Sequence, residues 1–135
     1  MIGILIITHE SLGDAYRSLS QHFFNHVPEN IKILGIQHDQ NHEDIIAKAQ
    51  DISRHLNRGH GVLIITDIFG ATPCNAARKL VCAGKVAMLT GLNAPMLIKA
   101  IQYAPSATDL NAFIQSVKTA AIEGILDITT PPDDN

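Results

Sequence analysis

The sequence predicts an α/β fold: an open, doubly wound sheet of four parallel strands in the order 2-1-3-4, with helices on both faces. Three observations carry that prediction. Four short β-branched runs recur, Ile2 to Thr8, Ile31 to Gln37, Gly61 to Asp67 and Lys85 to Thr90. Segments of helical length separate them, and alternation of this kind implies parallel strands joined by crossover helices. The first and third runs are apolar on both faces, as central strands covered from each side must be.

Each element follows from its residues. The N-terminal run ends at Thr8-His9-Glu10, far short of a membrane span or signal core, and reads as a strand. Leu12, Tyr16, Leu19, Phe23 and Val27 then follow helical spacing, and Ile45, Ile46, Ala49, Ile52 and Leu56 do the same after a polar loop at His38 to Asn41. Thr72-Pro73 supplies an N-cap residue and a first-turn proline for a third helix that ends near Ala83-Gly84. Asn93-Ala94-Pro95 opens a fourth in a similar way. The stretch from Thr108 to Glu123 forms the last helix, closed by Gly124, and Ile125 to Ile128 forms a short final strand. Residues 1–128 are therefore expected to make one domain, followed by a disordered tail over 129–135.

Composition narrows the function. With 135 residues, 46% of them hydrophobic and 17% charged, the chain can close one core without metal or disulfide. A net charge of -3 offers no basic field for nucleic acid or an anionic membrane surface. Cys74 and Cys82 fall within the third predicted helix, too far apart along it to bridge, so both are expected as free thiols in a reducing cytoplasm. His22 with His26, and His38 with His42, show i,i+4 spacing but bring no third ligand, so no metal site and no cofactor is expected.

In an open parallel sheet, ligands bind at the carboxyl ends of the strands, near the point where strand order reverses. That rule selects Thr8 to Ser11, Asp67 to Pro73 and Gly91 to Pro95. With the first and third strands adjacent, His9 and Asp67 emerge side by side. A carboxylate that accepts one ring N–H fixes the imidazole tautomer and leaves the other nitrogen a nucleophile. The Thr72 hydroxyl and nearby backbone N–H groups, including that of Ala71, can take phosphate oxygens, and Gly70 lets the chain fold tightly enough to bring them close. Asn93 is a further candidate donor and Phe69 a candidate contact for a protein partner. No lysine or arginine occurs in these loops, which favours one phosphoryl group over a nucleotide triphosphate.

These residues also resemble a family. The run from Thr66 to Ala77, with Asp67, Gly70, Ala71, Thr72, Pro73 and Asn75, is similar to the D-x-x-G-[GA]-[ST]-P-x-N signature of mannose-type (mannose/fructose/sorbose) IIA components of the sugar phosphotransferase system. Gly91 to Leu97 is similar to their second signature. The resemblance implies that His9 is phosphorylated on Nε2 while Asp67 holds Nδ1–H, and that Thr72 holds the phosphoryl oxygens. It implies phosphorylated HPr as donor and a IIB histidine as acceptor. It also implies a homodimer in which the C-terminal strand, Ile125 to Ile128, crosses antiparallel to the partner's sheet.

Three other readings compete. The chain ends soon after this unit with no IIB domain behind it, so His9 phosphorylation could instead regulate partner binding without transport. A receiver-like domain phosphorylated on Asp67 would need an acidic pair after the first strand, where Thr8-His9-Glu10 offers one carboxylate. A flavodoxin-like cofactor binder would need a Ser/Thr/Gly-rich cradle there, which is also missing.

Overall fold

The computed structural model describes residues 1–68 and 70–133. Its elements run β1 (Gly3–His9), α1 (Glu10–Phe24), β2 (Ile31–Ile36), α2 (His42–Leu56), β3 (Val62–Thr66), α3 (Thr72–Arg78), β4 (Val86–Leu89), α4 (Ala94–Tyr103) and α5 (Leu110–Glu123). The four strands are parallel in the order β2-β1-β3-β4, as the alternation requires.

Period-two alternation along β1 sends its side chains to two separate cores. Ile4 and Ile6 join Leu63 and Ile65 of β3 against Leu97, Phe113 and Val117, so α1, α4 and α5 cover one face. Leu5 and Ile7 join Val62 and Ile64 against Ile45, Ala49, Ala76 and Ala77, so α2 and α3 cover the other. The apolar character of both faces of β1 and β3 is thereby accounted for: every residue from Ile2 to Ile7 and from Val62 to Ile65 is buried.

Side-chain chemistry sets the helix starts. Asn41 caps α2 by accepting from the Glu43 and Asp44 amides, and Asp109 caps α5 by accepting from Ala112. Thr72 is the first residue of α3 rather than its cap; Ala71 holds the cap position, and no side chain caps this helix.

Several boundaries differ from expectation. The helix α3 stops at Arg78, not near Ala83-Gly84, because the chain turns to bury Leu80 and then pairs Cys82 with Val86 in an isolated bridge. Cys74, buried, and Cys82, exposed, therefore do not share a helix, although both are free. On α1 the inward face is Gly13, Tyr16, Leu19, Ser20 and Phe24, while Leu12 and Phe23 are exposed. His26 lies beyond the end of α1 and His38 before the start of α2, so neither histidine pair has helical geometry.

After α5, residues 125–128 pair with no strand among the described residues, and Ile125, Leu126 and Ile128 are exposed. Residues 129–133 are exposed without regular structure, and the remainder of the predicted tail lies outside the described residues. Among the described residues, no helix is long and apolar enough to cross a membrane.

One close approach sets how α2 closes on the sheet. A β-carbon at Gly3 would lie 2.7 Å from both Cβ and the carbonyl oxygen of Leu56, at the end of α2. Gly3→Ala should therefore destabilise the fold by about 1–3 kcal/mol through overpacking. The expected reading is a lower urea midpoint at unchanged m-value; an unchanged midpoint would show that the helix end yields freely.

Candidate functional site

The strand order reverses between β1 and β3, and the chain leaves these two parallel strands toward opposite faces: α1 follows β1 on one side, α3 follows β3 on the other. A divergence of this kind, at the carboxyl ends of the strands, is where an α/β sheet forms the crevice in which it binds ligands. His9 ends β1 and Asp67 follows β3, and the register, with Ile7 opposite Thr66, brings them together.

The pair is joined twice. Oδ2 of Asp67 accepts from the backbone N–H of His9 at 3.0 Å and lies 2.6 Å from Nδ1 of the same residue. Oδ1 accepts from the Ile68 N–H at 2.8 Å. The Asp67 side chain is 4% exposed and that of His9 is 48% exposed. A neutral imidazole facing a carboxylate through Nδ1 carries its proton there, which leaves the lone pair on Nε2.

Burial by itself would raise the pKa of Asp67. Hydrogen bonds from the amide and ring of His9 and from the Ile68 amide, with the charge of His9, outweigh it and hold the carboxyl below its ordinary range. Asp67 is therefore ionised at neutral pH.

The loops around the pair have separate supports. Gly70 adopts a φ of 86°, a left-handed conformation that favours glycine, and its carbonyl accepts from Asn75 Nδ2. The exposed Thr72 opens α3 just beyond, with Ala71 half-buried before it. Asn93 is committed to structure at both ends: Oδ1 accepts from Met96 N–H to cap α4, and Nδ2 donates to the Ala121 carbonyl of α5. Among the described residues, no hydrogen bond joins Thr72 or Asn93 to His9 or Asp67. The predicted partner contact, Phe69, lies outside the described residues; its neighbour Ile68 is exposed.

One residue near the pair had no functional reading in the sequence. Tyr16, two helical turns after His9, donates from its hydroxyl to the Leu92 carbonyl at 3.1 Å. Its phenol is pushed above the ordinary value by burial and then by the negative charge of Asp67. The spacing from His9 to Tyr16 was the available signal, but it reads equally as core packing. Among the described residues, no three His, Cys, Asp or Glu side chains group as metal ligands would.

The chain is similar to known proteins over most of its length. Residues 3–118 match the family described as the PTS system fructose IIA component. The phosphotransferase system component EIIA from Streptococcus agalactiae superposes with a TM-score of 0.84 at 25% identity, over 94% of this chain and 97% of that one. A mannose/sorbose-specific IIA subunit from Enterococcus faecalis gives 0.80 at 17% identity, with 97% of each chain covered. A sigma-54 interaction domain protein, also from Enterococcus faecalis, gives 0.73 at 12% identity over 91% of this chain and 92% of that one, a likeness of fold alone.

The depressed pKa of Asp67 fixes the sign of a pH effect. Its contribution to stability is fully present above the unfolded carboxyl value of about 4 and is lost as pH falls through the lower folded value. Urea unfolding of the chain and of Asp67→Asn should therefore differ most near neutrality and converge in acid below about pH 4. A difference that grew toward low pH would contradict the assignment.

Proposed function

The chain belongs to the fructose IIA component family of the phosphotransferase system, and we propose that it is a phosphocarrier whose His9 takes a phosphoryl group from phosphorylated HPr and passes it to a histidine of a IIB protein. Family membership carries a phosphotransfer role in the sugar phosphotransferase system. The observation that carries the finer reading is the 2.6 Å contact between Asp67 Oδ2 and His9 Nδ1, on a ring whose other nitrogen sits on a half-exposed side chain.

The chemistry follows from that contact. The Nε2 lone pair of a neutral His9 attacks phosphorus, a new P–N bond forms, and the bond to the donor imidazole breaks with its electron pair returning to the donor ring. The His9 ring gains positive charge as this happens, and the Asp67 carboxylate already lies against Nδ1–H to stabilise it. One P–N bond replaces another, so the transfer is close to thermoneutral. A loose phosphoryl transition state asks mainly for alignment and for donors to the equatorial oxygens. The Thr72 hydroxyl and the Gly70 amide are the groups we assign to those oxygens, with the Ala71 amide joining them once it turns from the Ile68 carbonyl, to which it donates at 3.4 Å.

The geometry favours His9 over Asp67 as the phosphorylated residue. Both oxygens of Asp67 are occupied by N–H donors, and the acid that follows His9, Glu10, is engaged by Gln37 Nε2 instead of pairing with Asp67. A receiver-like aspartyl phosphate would need that carboxylate free and a second one beside it.

We also assign residues 125–128 to a homodimer contact. The strand β4 is an edge strand, half-buried throughout, and beside it runs a groove of about 410 Å³ lined by Met88, Leu89, Met96, Ala121, Ile122 and Ile125. An exposed edge and an unpaired apolar segment are complementary, and a second copy supplies both.

Incubation with phosphoenolpyruvate, Enzyme I and HPr should place one phosphoryl group on His9, located by mass mapping, stable in alkali and lost in acid. Loss of the label in alkali would sink the reading in favour of an acyl phosphate. His9→Ala should take no label, and Asp67→Asn should slow transfer by roughly 10²-fold or more, through loss of the oriented tautomer. Replacing Leu126 and Ile128 with Asp should shift sedimentation equilibrium from dimer to monomer; an unchanged mass would remove this segment from the interface.

A further inference from the structure

We propose that Tyr16 is a positioning residue for the His9–Asp67 pair, clamping the loop after β4 against the strand end from which Asp67 projects. The proposal rests on the phosphocarrier reading above and concerns what holds its reactive ring in line.

The need for a clamp arises where the sheet ends. The β1–β3 ladder holds strand to strand as far as Ile7 opposite Thr66. His9 and Asp67 lie past that point, on segments that diverge toward α1 and α3. Ladder hydrogen bonds therefore no longer set their separation, yet the Nδ1 to Oδ2 contact works only within a few tenths of an ångström.

A second set of bonds takes over there. Leu92 N–H donates to the Thr66 carbonyl and Gly91 N–H to the Asp67 carbonyl, each at 3.1 Å, so the loop after β4 grips the backbone on which Asp67 stands. That same loop is gripped from the other side by Tyr16, through its hydroxyl on the Leu92 carbonyl. Tyr16 belongs to α1, which begins at Glu10, the residue after His9. The path from His9 along one rigid helix to Tyr16, across to Leu92 and on to Thr66 closes a ring around the pair. Asp67 Oδ2 on His9 is its final link.

Two features suit Tyr16 to this work. The side chain is half-buried against the α1, α4 and α5 core, which limits its rotamers. Burial and the nearby Asp67 charge keep its phenol protonated well above neutral pH, so it remains a donor throughout the working range. A phosphoryl dianion arriving on His9 would add negative charge beside Asp67 and tend to push the two loops apart. A neutral donor tied to a neutral carbonyl resists that motion without adding charge of its own.

The test uses the full chain carrying Tyr16→Phe, which keeps the ring and removes only the hydroxyl. Transfer from phosphorylated HPr should slow by about 3- to 10-fold, as expected for a small misalignment of a reacting group. Nuclear magnetic resonance of the folded protein should show the His9 Nδ1–H and the Gly91 and Leu92 amides exchanging with water roughly tenfold faster. A role in packing alone would lower the melting temperature and leave the Nδ1–H exchange unchanged, and that result would overturn the proposal. An unaltered transfer rate would overturn it as well. If the unmodified chain took no phosphoryl group, the phosphocarrier reading would fall, while the Nδ1–H exchange would still decide whether Tyr16 holds the pair.

Discussion

Oδ2 of Asp67 accepts two hydrogen bonds from one residue, the amide and the ring of His9, and the arrangement of the crevice depends on that oxygen staying where it is. A carboxylate with 4% of its side chain exposed is costly to desolvate, and it is tolerated because three N–H groups face it. Those donors come from the ends of two different strands. The charge thus joins β1 to β3 just beyond the point where the backbone ladder stops joining them.

The topology explains why such a pair forms here and why one member stays reachable. At the reversal of strand order between β1 and β3 the chain leaves toward opposite faces, the topology in which an α/β sheet keeps its strand ends open to ligands. The Asp67 side chain is enclosed by its own loop and by His9, while His9, as the last residue of β1, projects toward the opening. A buried carboxylate behind a half-exposed ring suits the transfer proposed above, in which a protein partner would reach Nε2 with no water between the ring and its carboxylate.

Much of this was legible in the sequence, for reasons that can be named. The fully apolar runs at the first and third strands could only be central strands, and their order put His9 beside Asp67 without any coordinates. Asn93 marked the start of α4 correctly because a short polar side chain before an apolar periodic segment has few other uses, whereas Thr72, read as a cap, is the first residue of α3. The end of α3 was misread because Lys79 to Ala83 is compatible with helix by local preference. Burial of Leu80 and the pairing of Cys82 with Val86 override it, and both are tertiary effects. The inward face of α1 was misplaced toward Leu12 and Phe23 because hydrophobicity alone does not fix where the stripe begins. Gly13 and Ser20, which carry little hydrophobic signal, are the buried residues of the helix.

By itself the sequence determined the strand runs, the doubly wound order and the placing of His9 beside Asp67, since period and position depend only on local chemistry and a few topological rules. The tertiary structure decided what each polar group is bonded to. It gave both Asp67 oxygens to His9 and Ile68, spent Asn93 on the start of α4 and on α5, and tied Tyr16 to Leu92, 76 residues away in the chain. Hydrogen bonds between distant segments have no periodicity to betray them. They exist only once the sheet has brought their ends to one edge.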